Sequence, residues 1–508
     1  SALMVFGAAK KKLLLKKVIQ KWSSKPQENL ADSVRRGDLE AIFSAYTSNA
    51  HFGVLSEEMG DNYLHEALFS RDADAVHAIL VLVPECRLWA LANRKGDTPY
   101  EHAMATCREF LALEIRKYTN PIPNEPTDAD LYVNVHLSLQ KMLLTDVSEE
   151  KVLLSLDGGG IRGIIQLQIL QRLELLCGFP LNEVVDWIGS TSLSSVVALQ
   201  LGNGMSISDA RRNFMRFISR IFLAGRYVLP KYDPTALDVE LMRMFDKMPM
   251  AELPKKVLVT AVDIAASKPR LITFRSYAPD MEEKYRENEG FLDPAKCIAW
   301  KVARIGSSNP YYFPPRGLAQ PMVDGSYLTN NPASILLTDF FKVQKLENVH
   351  QRANNQQVYA FISLGVGQER ENAKRIREER SPLVDPMAVK NRDIEPPLER
   401  HLDVFSGFAT IQLRNGDPVA LEAAKETAHS HGTPFFRFQP TLRQCLDHDE
   451  IDCRTLVRAL WDTEMEMRTR YTSSLQRLAD MLKELHKKRY PQHHETSTLV
   501  TNDLRASE

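Results

Sequence analysis

The sequence predicts an α/β protein with a central, mostly parallel or mixed sheet and helices on both of its faces, preceded by a small all-helical region. Short apolar runs typical of buried strands alternate with helical patterns through the larger part of the chain, most clearly at residues 257–262, 271–274 and 358–362. Such alternation is typical of a sheet covered by helices on each side. A repeat nearer the N-terminus predicts the helical region.

The first 27 residues form a basic segment, with lysines at positions 10, 11, 12, 16 and 17 and no acidic residue before Glu28. We interpret it as a solvated helix face or an unstructured stretch. Contact with anionic lipid is the alternative, since lysines near such a surface attract its charge. A mitochondrial targeting segment stays open, although the arginines typical of one are absent.

Residues 28–117 are repetitive. The run GDNYLHEA from Gly60 recurs as GDTPYEHA from Gly96, which is a period of 36. This pattern resembles ankyrin repeats, in which each unit is a turn followed by two helices. The Thr-Pro pair of those repeats is present only in the second copy. The region is interpreted either as an arm that binds a protein or orients the chain on a membrane, or as a structural cap.

The rest of the chain divides at a proline-rich stretch. Residues 118–130 are predicted to be a linker, because three prolines fall between Pro121 and Pro126. The larger domain is expected over residues 131–486, beginning with a short helix at 131–144 and ending in one long amphipathic helix at 455–485. Residues 487–508 are polar, and we expect them to be disordered.

A glycine-rich turn is the most informative motif. The sequence LDGGGIRG follows an apolar run and leads into a helical pattern at residues 164–170. Backbone amides of Gly158, Gly159 and Gly160 at such a turn are left uncovered, and the helix dipole adds to them, so the turn suits an anion. The alternative is a tight turn that only allows close packing of helix on sheet.

Two later turns place side chains that fit ester chemistry. Ser192 lies between an apolar run ending near residue 189 and a helical pattern, so its hydroxyl is expected on a sharp strand-to-helix bend. Asp324 lies in the turn DGSYLTNN, which follows the aromatic and proline-rich block PYYFPP. Each has a simpler interpretation, Ser192 as a small turn residue and Asp324 as a turn former bonded to its own backbone.

These three blocks, in this order, resemble the patatin-like phospholipases, and most of all their group VI calcium-independent phospholipase A2 branch of the beta type. The resemblance covers about residues 150–480 and implies a three-layer α/β fold. It implies that Ser192 is a nucleophile activated directly by Asp324, that Gly158, Gly159 and Gly160 hold the oxyanion, and that Arg162 and Gly163 support the loop. It further implies cleavage of the acyl ester of a glycerophospholipid, with no cofactor and no metal. Members of this branch dimerise and bind calmodulin, which the residues here do not predict by themselves.

The elbow departs from the family pattern, because Ser190 and Ser194 occupy the positions of two glycines. Added side chains there would either relax the turn slightly or displace Ser192, and a displacement of about 1 Å costs roughly 10²-fold in rate. Three functions therefore stay open. We favour a lipid acyl hydrolase; the alternatives are a catalytically impaired scaffold and an acyltransferase that uses the same Ser-Asp pair.

Composition limits the classes of binding partner and the cellular location that we expect. The formal net charge of −1 and the absence of a basic-aromatic motif argue against nucleic acid. The six cysteines have neither disulfide nor metal-ligand spacing, which is typical of an intracellular protein. We expect a cytoplasmic protein that associates peripherally with phospholipid membranes, because no apolar run is long enough to span one.

Overall fold

The computed structural model describes residues 30–123, 149–223, 230–265, 268–315, 321–349, 356–369, 418–444 and 446–492. The predicted basic segment at 1–27, the short helix at 131–144, most of the linker and the tail beyond residue 492 lie outside the described residues.

The N-terminal region consists of helices arranged as successive pairs. They are α1 (Leu30–Arg36), α2 (Leu39–Thr47), α3 (Tyr63–Ala67), α4 (Ala73–Leu82), α5 (Pro99–Ala105) and α6 (Glu109–Thr119). The 36-residue sequence repeat is visible in the structure, because α3 and α5 are capped in the same way at their N-termini. Asn62 caps α3 and Thr98 caps α5, each in a capping box with the residue three positions later. A direct contact joins the two units, because His65 Nε2 lies 3.0 Å from the carbonyl oxygen of Asp97.

A mixed seven-stranded sheet forms the centre of the larger region. The strands of the region are β1 (Glu149–Leu156), β2 (Val185–Ser190), β3 (Lys256–Asp263), β4 (Arg270–Arg275), β5 (Met322–Asp324), β6 (Gln356–Leu364), β7 (Gln368–Glu369), β8 (Phe435–Phe438) and β9 (Thr441–Leu442). The order in the seven-stranded sheet is β4-β3-β2-β1-β6-β8, with β5 also paired to β3. The strands β1, β2, β3, β6 and β8 run parallel to their neighbours, whereas β4 and β5 are antiparallel to β3. All three predicted strands lie in it, and β7 and β9 pair separately.

Helices cover both faces of this sheet, as predicted. They are α7 (Gly163–Cys177), α8 (Ser194–Gly202), α9 (Ile207–Ile221), α10 (Pro234–Phe245), α11 (Glu283–Asn288), α12 (Ala299–Gly306), α13 (Ala333–Val349), α14 (Pro418–Ser430), α15 (Cys453–Arg468) and α16 (Thr472–Arg489). Side chains alternate along β1, so Leu154 packs in one core with α7, α9 and α15, while Leu153 packs in a second core with α13 and α14. The α/β fold class is therefore confirmed.

The single long helix predicted at 455–485 is wrong, because the chain forms α15 and α16 with a break at residues 469–471. Tyr471 accounts for the break. Its hydroxyl donates to the carbonyl oxygen of Gln439 at 3.0 Å and accepts from the Gln439 amide at 3.3 Å. This fastens the bend to the segment after β8, a tertiary contact that helical periodicity does not report. Helix α16 extends to Arg489, three residues into the predicted tail.

Candidate active site

The serine turn is a strained elbow between β2 and α8. Ser192 has φ of +58°, in the left-handed region that residues other than glycine seldom adopt. It follows the carboxyl end of β2, and α8 begins two residues later. The Ser192 side chain is almost buried, with 8% of the residue exposed. Strain of this kind persists only where the surroundings hold it and is concentrated at functional sites.

The serines that replace the two elbow glycines are accommodated as hydrogen-bonded, fully buried residues. The Ser190 hydroxyl donates to the carbonyl oxygen of Leu258 at 3.3 Å. The Ser194 hydroxyl lies 2.8 Å from the carbonyl oxygen of Asp157 and 2.9 Å from Oε1 of Gln166. Neither hydroxyl is forced towards Ser192, and the elbow keeps its left-handed turn. Ser194 also ties the elbow helix to the start of the glycine loop.

Asp324 reaches Ser192 from the end of β5. That strand pairs antiparallel with β3, and Ala261 lies opposite Asp324. The Ser192 hydroxyl donates to Oδ2 of Asp324 at 2.5 Å, and the backbone amide of Ser326 donates to Oδ1 at 2.9 Å. Asp324 is completely buried, and loss of hydration raises the pKa of its carboxyl to about 6, although both hydrogen bonds oppose that rise. The carboxylate is therefore largely ionised at neutral pH and positioned to accept the serine proton.

The glycine loop lies next to this pair, between β1 and α7. The Gly158 amide is already occupied, because it donates to the carbonyl oxygen of Asn330 at 2.9 Å, while Nδ2 of Asn330 donates back to the Gly158 carbonyl at 2.9 Å. No hydrogen-bond acceptor is found within the described residues for the amides of Gly159 and Gly160. The expectation that Gly158 supplies an oxyanion donor is therefore corrected, because its amide already holds the loop; the uncovered amides are those of Gly159 and Gly160.

Close packing explains why glycine occupies the loop. Gly160 has φ of +61°, and a Cβ atom there would lie 2.3 Å from the carbonyl oxygen of His448. At Gly163 a Cβ atom would lie 2.8 Å from the Phe214 ring. Gly163 thus lets α7 approach α9, which fits the supporting role expected of it.

Two arginines fix the loop from outside. Arg162, which is 6% exposed, donates from Nε to the carbonyl oxygen of Leu446 at 2.6 Å. Arg437 on β8 forms a bidentate ion pair with Asp157, at 3.0 and 2.6 Å. The sequence interpretation missed the roles of Arg437 and Asn330. Asn330 lies in the turn that contains Asp324, and Arg437 lies in the run FFRFQP at residues 435–440, but nothing in their spacing indicates which carboxylate or carbonyl they contact.

A cleft opens onto Ser192 and Asp324. One side of it is apolar, formed by Leu193, Phe222 and Phe313. Ser307, Asn309 and His448 contribute polar groups, and Gly160 lines it where the loop meets the elbow. The combination of an apolar wall, a serine with a carboxylate partner and two uncovered amides suits acyl transfer from an ester with an apolar acyl group.

The described residues contain no group of three or more His, Cys, Asp and Glu side chains arranged to hold a metal ion. Within the same ranges, none of the helices has the length and apolar character needed to cross a membrane.

Comparison with known proteins agrees with this geometry. The family model described as patatin-like phospholipase matches residues 154–337, which include the glycine loop, the elbow and Asp324. The chain is 27% identical over 341 residues to the 85/88 kDa calcium-independent phospholipase A2 of Mus musculus, an alignment that covers 64% of this chain and 40% of the mouse protein. It is thus aligned with well under two thirds of that relative.

Two further relatives align with smaller shares of this chain. An intracellular phospholipase A2 of Caenorhabditis elegans is 25% identical over 315 residues, covering 61% of this chain and 27% of the relative. A cGAMP-activated phospholipase of Vibrio cholerae is 27% identical over 217 residues, covering 37% of this chain and 58% of the relative. The alignment with the bacterial protein involves less of this chain and more of the relative.

Proposed function

We propose that the patatin-like phospholipase domain contained in this chain hydrolyses the fatty acyl ester of glycerophospholipids without calcium. The observation that carries this proposal is the 2.5 Å hydrogen bond from the Ser192 hydroxyl to Asp324 at a left-handed elbow beside the glycine loop. Relatives named as calcium-independent phospholipase A2 support the substrate class and the independence from calcium.

In the first half of the reaction, Ser192 Oγ attacks the ester carbonyl carbon while its proton passes to the Asp324 carboxylate. The carbonyl oxygen takes up negative charge and is held by the amides of Gly159 and Gly160. When this intermediate collapses, the bond to the glycerol oxygen breaks, and Asp324 returns the proton to that leaving oxygen. The products are an acylated Ser192 and a lysophospholipid.

In the second half of the reaction, a water molecule attacks the acylated Ser192. Asp324 takes a proton from water as its oxygen attacks the acyl carbon, and the same two amides hold the charge. Collapse releases the fatty acid and restores the proton to Ser192. No histidine takes part in this scheme, since Asp324 is both base and acid. A pKa near 6 suits both tasks at neutral pH.

Covalent labelling tests the nucleophile directly. A fluorophosphonate probe should label the wild-type chain and fail to label Ser192→Ala, which should also lose fatty acid release from phosphatidylcholine vesicles by at least about 10³-fold. Ser195→Ala is the matched control: its hydroxyl is buried three residues further along and is not among the groups lining the cleft. A calcium chelator should leave the rate unchanged.

Each alternative has its own signature in the same experiment. A folded wild-type chain that takes up no label would contradict the hydrolase and favour the scaffold. Transfer of the acyl group to an added lysolipid, in preference to release of free fatty acid, would favour the acyltransferase. The accommodation of Ser190 and Ser194 in the elbow supports the hydrolase over the scaffold, because the sequence raised the scaffold on those two positions.

A further inference from the structure

Two polar side chains in the wall of the cleft are not used by the proposed chemistry. Ser307 and Asn309 line the same cleft as Ser192 and Asp324. They lie in the turn that follows α12. This turn is tied to the catalytic pair, because the Asp324 amide donates to the carbonyl oxygen of Ser308 at 3.2 Å. The position of both side chains is therefore fixed relative to the reacting atoms.

The Ser307 hydroxyl is buried without a hydrogen-bond partner in the described part of the chain. Only 3% of this residue is exposed, so bulk water does not solvate the hydroxyl freely. A buried hydroxyl with no partner is costly and is uncommon in folded proteins. A group that enters the cleft and hydrogen-bonds to it would remove that cost.

Asn309 presents a donor beside this hydroxyl. Its Oδ1 accepts from the Tyr311 amide at 3.1 Å and from the Tyr327 hydroxyl at 3.5 Å, which fixes the orientation of the side-chain amide. Among the described residues no acceptor is found for its Nδ2, and Asn309 is 7% exposed. Ser307 and Asn309 thus offer two hydrogen-bond donors from a rigid turn into a largely apolar cleft.

We infer that Ser307 and Asn309 form a polar subsite that binds an oxygen atom on the glycerol backbone next to the scissile ester. This inference rests on the proposed function, since it names which part of the phospholipid the cleft recognises. A diacyl phospholipid supplies an ester carbonyl oxygen at that position, and a lysophospholipid supplies a free hydroxyl. Both are acceptors for the two donors. A simple aryl ester of a fatty acid has no such oxygen.

The test compares substrates with and without that oxygen. We expect Ser307→Ala to lower kcat/KM for phosphatidylcholine or lysophosphatidylcholine about tenfold, while changing kcat/KM for a 4-nitrophenyl acyl ester by less than about twofold. Asn309→Asp provides a second variant, because a carboxylate keeps the acceptor for Tyr311 but loses the donor. The added charge near Asp324 affects the hydrolysis of both substrate classes. The readout is therefore the ratio of kcat/KM for the phospholipid to kcat/KM for the aryl ester.

Ser155→Ala is the matched control. Its hydroxyl is also buried without a hydrogen-bond partner in the described residues, but it lies in β1 and is not among the groups that line the cleft. It should leave the ratio unchanged. A selective loss with either phospholipid supports the subsite and identifies the source of the oxygen.

Equal losses on all substrates, or no loss on any, would overturn the inference while leaving the hydrolase proposal intact. Failure of the proposed function looks different, because the wild-type chain would then hydrolyse neither the phospholipids nor the aryl ester.

Discussion

At the scale of single residues, the buried carboxylate of Asp324 links stability to chemistry. Burial raises its pKa from 3.8 to about 6. A carboxyl whose pKa is higher in the folded state favours folding most below the unfolded pKa, and this advantage is lost as pH rises through about 6. Ionised Asp324 therefore lowers the free energy of unfolding by about 3 kcal/mol at neutral pH. This loss of stability falls at the residue that the proposed reaction uses as its base.

The same pKa predicts the pH dependence of hydrolysis. Only the carboxylate form of Asp324 accepts the serine proton, so kcat/KM for a soluble ester should level off above pH 6 and fall about tenfold per pH unit below it. A pH–rate profile measured between about pH 4.5 and 8.5 checks this. A profile that stays flat down to about pH 5, or that falls as pH rises through 6, would contradict Asp324 as the base.

At the scale of elements, the elbow and the glycine loop form one hydrogen-bonded unit. Gln166 on α7 donates from Nε2 to the carbonyl oxygens of Asp157 and Leu364, at 2.9 and 3.1 Å, and its Oε1 lies 2.9 Å from the Ser194 hydroxyl. Strand β6, the loop, α7 and α8 are therefore joined beside the uncovered amides of Gly159 and Gly160. Ser194 contributes to that junction with a group that glycine lacks.

Restoring the family glycine at this position should accordingly not help. Ser194→Gly is expected to lower the free energy of unfolding by about 1–3 kcal/mol, because it removes a buried hydroxyl that bonds Asp157 or Gln166 and places glycine in the first turn of α8. Turnover should stay level or fall. Urea denaturation and ester hydrolysis measure the two effects.

Ser190→Gly is the comparison, since its hydroxyl makes a longer contact, 3.3 Å to Leu258, and does not reach the loop. A clear gain of turnover in Ser194→Gly would show instead that the serine hinders the elbow.

The elements also show how far sequence reasoning extends. The apolar run of β1 predicts a strand, and the glycine turn after it predicts the start of a helix. Both features can be predicted because each is determined by residues close together in the sequence. The meeting of Ser192 and Asp324 depends on β3, which pairs with β2 over residues 256–259 and with β5 over residues 261–263. No local pattern specifies that pairing, so the sequence reached it only through a family resemblance.

The occupied Gly158 amide and the Arg437–Asp157 ion pair show the limit of such reasoning. Asn330 and Arg437 are distant in sequence from the groups they contact, at separations of 172 and 280 residues. A glycine triplet predicts uncovered amides, but which of them is already paired depends on a segment that folds against it. The correction that the Gly158 amide is already paired therefore required the tertiary structure.

At the scale of the whole molecule, the N-terminal helices and the sheet region share one core. Buried residues of α2 and α4 belong to the same apolar cluster as those of α7, α9 and α15. The contact between the regions includes His77 of α4, which stacks on Trp461 of α15 with ring centroids 3.8 Å apart. Asp74 pairs with Arg458 across the same boundary at 2.9 Å. We therefore expect the helical region to support the sheet region structurally, whatever else it binds.

Arg211 of α9 is the sharpest test of that coupling. Its guanidinium is completely buried and donates to the carbonyl oxygen of Leu82 in the helical region at 3.2 Å, and to Oε1 of Gln171 on α7 at 2.6 Å. Arg211→Ala should leave these acceptors unsatisfied and open a cavity, lowering the free energy of unfolding by about 3–5 kcal/mol. Differential scanning calorimetry should show the single transition of the wild type lowered or split in two, because the junction weakens before either region.

Arg212→Ala is a milder comparison on the same helix, because the Arg212 guanidinium lies over the Tyr46 ring of the helical region at 5.8 Å but no hydrogen bond from it to that region is found among the described residues. The ion pair of Arg212 is with Asp209, one turn away at 2.9 Å, and Asp209 is half exposed. Its loss should cost no more than about 1 kcal/mol. Equal effects of the two substitutions, or an unchanged transition in Arg211→Ala, would mean that the helical region and the sheet region are stable independently. Fluorophosphonate labelling of Ser192 can then be measured in Arg211→Ala at temperatures below its unfolding transition. The extent of labelling reports whether the Ser192 elbow depends on the N-terminal helices.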